Sequence, residues 1–188
     1  MKVKILVIGP KETGKTYISN FLGDATENIA GSYKPTAAVR ILEFENKLNV
    51  NNQSVKADIE LWDTSGDHRY ESCWPAIRQD VNGIIFVYDP ANNAHSHELD
   101  VLFSYFVEQS GLKETNCFVF SNSPSGGSSY YNSSKLSSNF SRIPQVDIDL
   151  ESAANRARSD FNNFLSTVMT HMCEKREMEE LNIVNVRG

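Results

Sequence analysis

Two rhythms of apolar and polar positions run through the chain. Val3-Lys4-Ile5-Leu6-Val7-Ile8, Gly83-Ile84-Ile85-Phe86-Val87-Tyr88 and Cys117-Phe118-Val119-Phe120 are near-continuous apolar runs. That is the pattern of strands covered on both faces of a parallel sheet. Val39 to Val50 instead alternates, with Ile41, Leu42, Phe44 and Leu48 set against Arg40, Glu43, Glu45 and Lys47. The polar stretch Asn51-Asn52-Gln53-Ser54 then leads into a second strand over 55–62, which predicts an antiparallel hairpin. The second rhythm is helical. Residues 16–22 predict a short helix stopped by Gly23, and 24–34 a polar loop closed by Pro35-Thr36. Leu99, Leu102, Phe103 and Phe106 recur at helix spacing, as do Ala154, Ala157, Phe161, Phe164, Leu165 and Val168.

In chain order this reads β-α-ββ-α-β-α-β-loop-β-α. Its natural closure is a three-layer α/β fold with six strands, mostly parallel, and one antiparallel edge. One stretch breaks the pattern. Residues 121–141 are dominated by Ser, Asn and Gly, which predicts a flexible loop that buries little, before a last short strand over 144–149. The charged segment 174–180 is expected to fray beyond its helix.

Composition narrows the partners. With 188 residues and 40% hydrophobic content the chain suits one well-buried domain. A net charge of -6 and the lack of a basic stripe argue against nucleic acid. Cys73, Cys117 and Cys173 are odd in number and lack metal-ligand spacing, which suits free thiols in a reducing compartment. His95-Ser96-His97 has no Cys or third His beside it and is expected in a solvated loop. No apolar run approaches the roughly 20 residues of a membrane span, and no signal-peptide core is visible at the N-terminus.

The chemistry sits directly after the first strand. Gly9-Pro10-Lys11-Glu12-Thr13-Gly14-Lys15-Thr16 is a GxxxxGKT phosphate-binding loop. Its glycines let successive N–H groups point inward to a polyphosphate at the start of the next helix. Lys15 supplies charge, and the Thr16 hydroxyl suits a magnesium ion. Trp62-Asp63-Thr64-Ser65-Gly66 ends a predicted strand, where open α/β sheets place ligands. Asp63 is a second expected metal contact, and Gly66 brings an N–H close to a terminal phosphate. Thr36 is the candidate third metal contact. Glu12, Thr13, Tyr17 and Tyr33 complete the expected nucleotide surroundings.

Gly9 to Thr16, Tyr33 to Thr36 and Asp63 to Gly66, in this order, resemble the small Ras-like GTPases. The runs Arg40-Ile-Leu-Glu-Phe-Glu45 and Gly66-Asp-His-Arg-Tyr-Glu-Ser-Cys-Trp-Pro-Ala76 narrow the resemblance to the atypical Rab-like subunits of intraflagellar-transport complex B. The resemblance covers nearly the whole chain. It implies a Ras-like P-loop G-domain over 1–178 with a flexible tail over 179–188, binding of GTP or GDP with Mg2+, and docking onto the coiled-coil subunits of that complex. It also implies a role in cilium or flagellum assembly, with residence in the cytoplasm and at the cilium or flagellum and its base, and a monomer when isolated.

Departures from the family pattern modify these expectations. The residue after Asp-x-x-Gly, a water-orienting glutamine in Ras-like enzymes, is Asp67, which is shorter and repels the phosphate. Asp67 and the neighbouring His68 are the catalytic candidates. Lys11 crowds the space an inserted arginine finger uses. The base-reading Asn-Lys-x-Asp becomes Asn122-Ser123-Pro124-Ser125, so Asn122 and Ser123 remain as contacts while the carboxylate is lost. No acidic residue lies between Asn116 and Gln145, which leaves Asp147 or, preferably, Asp149 as a substitute. The Ser-Ala-Lys motif is replaced by Asp149-Leu150-Glu151. Weak or absent hydrolysis and reduced guanine selectivity are therefore expected, with a cycling GTPase that needs an external activator as the alternative. The sequence ends Asn-Val-Arg-Gly188 with Cys173 fifteen residues upstream, so no prenyl anchor is expected and a protein partner must place it. Phe44, Trp62, Tyr70 and Trp74 are the aromatic anchors considered for that partner, Trp74 foremost.

Overall fold

The computed structural model describes residues 1–25, 35–51, 53–122, 135–148 and 154–186. Tyr33, Ser123, Ser125 and Asp149 lie outside the described residues. The elements follow the order β1 (Lys2–Ile8), α1 (Lys15–Leu22), β2 (Val39–Val50), β3 (Gln53–Thr64), α2 (Trp74–Arg78), β4 (Gly83–Tyr88), α3 (Ala94–Phe106), β5 (Cys117–Ser121), β6 (Gln145–Asp147) and α4 (Ala154–Val186). The six strands form one sheet in the order β2-β3-β1-β4-β5-β6. Every neighbouring pair is parallel except β2 with β3, the antiparallel edge expected from the alternating pattern.

Two cores explain why the central strands are apolar on both faces over most of their length. Val3, Ile5 and Val7 of β1, Ile85 and Val87 of β4, and Phe118 and Phe120 of β5 pack with Ile18 of α1 and Phe161, Phe164, Leu165 and Val168 of α4. The alternate residues Leu6, Ile8, Ile84, Phe86, Cys117 and Val119 pack on the opposite side with Leu99, Phe103 and Phe106 of α3. A period-two backbone between two helical layers leaves no polar face. The hairpin is longer than the pattern indicates. β2 and β3 pair from Val39↔Thr64 to Val50↔Gln53, and Asn51 takes the left-handed conformation (φ 50°) that a tight turn demands and Asn tolerates.

Three expectations need correction. The described end of the Ser/Asn-rich stretch buries more than its composition suggests, while 123–134 lie outside the described residues: Phe140 is fully buried, edge-on to Phe86 at 5.1 Å and to Phe103 at 5.3 Å, with Ile143 beside it. One aromatic in a polar run suffices to tie its end to the core. His95 is not in a solvated loop. It sits in the first turn of α3, buried, with Nδ1 accepting from the Asp89 N–H at 3.1 Å. Finally, α4 remains helical through 174–180 to Val186, as the good helix formers Lys, Arg, Glu, Met and Leu allow, with an Arg176–Glu180 pair at 3.6 Å on its surface. No helix among the described residues is long and apolar enough to cross a membrane.

Candidate functional site

The ends of β1 and β3, neighbours in the sheet, deliver the phosphate loop and the Asp63 segment to one place. The loop curls back on itself before α1. The Thr13 hydroxyl donates to the Pro10 carbonyl at 3.1 Å, and the Ile18 N–H donates to the Gly14 carbonyl at 3.0 Å as the helix begins. Gly14 is left-handed (φ 84°), and a Cβ there would lie 2.3 Å from the Asn122 amide. Asn122 Nδ2 donates to the Thr13 carbonyl at 2.8 Å, so this residue braces the phosphate loop from the end of β5. Glu12 also adopts positive φ, and its side chain, like those of Lys11 and Tyr17, is exposed. These positions line the site with backbone rather than side chains.

Thr16, Thr36 and Asp63 come from three separate segments and meet. The Thr16 and Thr36 hydroxyls are 2.9 Å apart, and both donate to Asp63 Oδ2, at 2.7 and 3.4 Å. Asp63 is fully buried, and its Oδ1 has no hydrogen-bond partner among the described residues. Burial pushes its carboxyl above the usual carboxylate range, while the Thr16 hydroxyl, Arg40 and Lys15 pull it back. A buried carboxylate with one oxygen unpaired, beside two hydroxyls, is a hard-oxygen donor set suited to Mg2+. The residues present therefore fit the metal the motif implies. Lys15 is buried too. Its ammonium donates to the Pro10 carbonyl at 2.5 Å, and desolvation pushes it down to about 8 against the attraction of Asp63 and Glu98.

Arg40 was not among the residues the motifs single out. It lies opposite Asp63 in the β2–β3 register, with Nε 3.9 Å from Asp63 Oδ2 and a guanidinium nitrogen on Asn20 Oδ1. The signal was present in the sequence only as the strand pairing.

Gly66 and Asp67 sit against the loop. A Cβ on Gly66 would lie 2.6 Å from the Lys11 nitrogen and 2.7 Å from the Gly9 carbonyl oxygen, so only glycine lets the segment approach this closely. Asp67 caps the short 3₁₀ turn His68–Cys73: its Oδ1 accepts from the Arg69 N–H at 3.0 Å. Its Oδ2 accepts from Arg69 Nε at 2.9 Å and lies 3.2 Å from Lys11 Nζ. These bonds, Arg69 first, hold the Asp67 carboxyl far below the usual range. His68 is exposed, with Nδ1 2.5 Å from Glu71 Oε1. Trp74, foremost of the expected partner anchors, is half-buried against Tyr105 and Phe106 at ring distances of 5.1 and 5.3 Å. Trp62 carries the Lys4 ammonium 3.6 Å above its ring.

With that geometry in hand, the known proteins decide the family. Residues 4–123 match the Roc model, described as "Ras of Complex, Roc, domain of DAPkinase". The chain is 41% identical to the intraflagellar transport protein 22 homolog of Danio rerio, over 97% of this chain and 98% of that one. It belongs to the intraflagellar transport protein 22 family. The Homo sapiens homolog is 36% identical over 98% of this chain and 99% of its own length. The GTP-bound crystal structure of T. brucei IFT22/74/81 shares the fold, with a TM-score of 0.76, 23% identity, and coverage of 93% of this chain and 99% of that one. The GDP-bound T. brucei IFT22 structure gives 0.69, with 23% identity over 90% and 97%. The Ras-like fold and the resemblance read from the motifs are thus borne out.

Proposed function

We propose that the chain is a nucleotide-loaded subunit of the intraflagellar-transport machinery: it binds GTP or GDP with Mg2+ and docks, without fast hydrolysis, onto coiled-coil subunits of complex B. The observation that carries the ligand is the meeting of Thr16, Thr36 and Asp63 beside the phosphate loop. These three residues hold the metal, Lys15 and the loop N–H groups of 11–16 bind the phosphates, and Gly66 faces the terminal phosphate. When bound, Mg2+ neutralises phosphate charge. Thr36 reaches Asp63 from the loop before β2, so its position depends on what Asp63 holds.

Slow chemistry follows from where Asp67 is. Its carboxylate is engaged by Arg69 and Lys11, and a negative group there cannot orient water as glutamine does. The relatives' shared name and the T. brucei complex with 74 and 81 support the transport role and the coiled-coil partners. The cytoplasm and the cilium or flagellum with its base are the corresponding places of action.

Denaturing the purified protein and identifying the released nucleotide tests this reading. GTP is expected; GDP alone would point to turnover, and no nucleotide at all would remove the ligand. Lys15→Ala should lower nucleotide retention about 100-fold, because it removes a charge-assisted contact from a buried site. If Lys15→Ala empties the site yet leaves assembly with the coiled-coil subunits untouched, the nucleotide does not govern docking.

A further inference from the structure

Lys11 and Asp67 belong to different loops and different functions, yet they touch. Lys11 lies in the phosphate loop and Asp67 begins the segment that leaves Gly66, and Nζ stands 3.2 Å from Oδ2. The same carboxylate oxygen takes Arg69 Nε at 2.9 Å and Nη2 at 2.8 Å, so one anionic oxygen gathers two cations. Asp67 is largely covered, with 15% of its side chain exposed, whereas Lys11 is 56% exposed and free to swing away. Directly beneath, the Gly66 backbone rests on Pro10 and Lys11 with no room for a side chain. The Asp67 N–H is also held, by Ser65 Oγ at 3.2 Å, and the Ser65 N–H by the Ala38 carbonyl at 2.8 Å.

We propose that Lys11 and Asp67 form a charge clasp that fastens the Gly66–Cys73 segment onto the phosphate loop through protein groups alone. A loop whose only attachment is a terminal phosphate is ordered when that phosphate is present and released when it is gone. A clasp supplies a second attachment that no nucleotide changes. The segment therefore keeps much of its docked position whichever nucleotide is bound, and its surface is presented less conditionally. An ion pair with one exposed partner is worth a few-fold in such an equilibrium, so the clasp biases the loop and does not freeze it. Lys11 acts here as a positioning residue, through Asp67.

This inference rests on the nucleotide reading for its consequence, but its contact can be tested without it. Amide hydrogen exchange of residues 66–73 is followed in the purified full chain, in wild type, Lys11→Ala and Asp67→Asn, with GDP-Mg2+, with a non-hydrolysable GTP analogue, and with neither. Asp67→Asn separates clasp from cap, because Asn still accepts from the Arg69 N–H at the start of the 3₁₀ turn. Both variants should exchange about three- to fivefold faster than wild type with GDP or no nucleotide, and closer to wild type with the GTP analogue. Raising salt to about 1 M should accelerate wild type toward the variants and leave the variants unchanged. The charge swap Lys11→Asp with Asp67→Lys should restore part of the protection. Exchange in both variants equal to wild type would overturn the clasp. Acceleration in Lys11→Ala alone would also overturn it, since the Lys11 effect would then not pass through Asp67. Failure to bind any nucleotide removes the proposed function while the nucleotide-free comparison still decides the contact.

Discussion

Asp63 and Asp67 stand four residues apart at one end of the sheet, and their environments drive them in opposite directions. Asp63 is fully buried with Oδ1 unpaired among the described residues, and burial lifts its carboxyl above the ordinary range. Asp67 is surrounded by the Arg69 guanidinium, the Arg69 N–H and Lys11, which lower its carboxyl far below that range. The first carboxylate keeps an oxygen that no described residue engages; the second is already held by two cations. Motif position alone does not distinguish a ligand from a strut. The partners within hydrogen-bond reach do.

The largest expected contrast is in metal dependence. Asp63→Asn should weaken Mg2+-dependent nucleotide retention about 10- to 100-fold, the scale seen when a group supporting a metal site is lost. Asp67→Asn should change it less than about threefold, since it alters a surface ion pair. Titrating Mg2+ against dissociation of a labelled nucleotide measures both. Equal losses in the two variants would erase the distinction between the aspartates. Next in size are the hydroxyls. Thr36→Val removes one donor to Asp63 Oδ2 and should cost about 3- to 10-fold in the same assay, the worth of one hydrogen bond beside a charged group.

The pH response sharpens the contrast. Asp67 has a lowered folded-state pKa, so the unfolded chain binds its proton more readily. Its stabilising contribution is then fully present above the unfolded value of about 4 and is lost progressively as pH falls from there through the much lower folded value. The denaturant midpoint of wild type should exceed that of Asp67→Asn near pH 6, and the gap should begin to narrow below about pH 4 while part of it persists at pH 3, because the folded-state carboxyl titrates far lower. A gap that widens on acidification would show that the Arg69 and Lys11 contacts do not form in solution.

How much of this was legible in the sequence follows from which forces are local. The central strands could be read because burial on both faces leaves only apolar residues, and the phosphate loop because its chemistry depends on backbone order and a few fixed residues. The convergence of Thr16, Thr36 and Asp63 followed from the motifs, since each motif fixes where its segment ends. What escaped depends on distant neighbours. Phe140 lay hidden in a polar run because its partners Phe86 and Phe103 are far away in sequence. Arg40 gained its place from the hairpin register, and Trp74 turned inward onto Tyr105 and Phe106. Asp67 stands where the motif places glutamine, which the sequence shows, but its engagement by Lys11 is a contact between two loops that no spacing rule encodes.

That contact bears on the smallest effect expected. Restoring glutamine by Asp67→Gln places an amide where Ras-like enzymes orient water, so on motif grounds alone it should speed hydrolysis. The structure argues for little change. Gln at 67 would leave Lys11 without its carboxylate and the 3₁₀ turn without its Asp cap, and the segment that must hold the amide still would loosen. Single-turnover hydrolysis in Asp67→Gln should stay far below the roughly 10³-fold gain an inserted arginine supplies elsewhere. Combining it with Lys11→Gly, which clears the loop position, should exceed the product of the two single effects, because the two residues act through one contact. Additive behaviour would mean that Lys11 and Asp67 influence the chemistry independently, and the difference between the two aspartates would then lie in Asp63 alone.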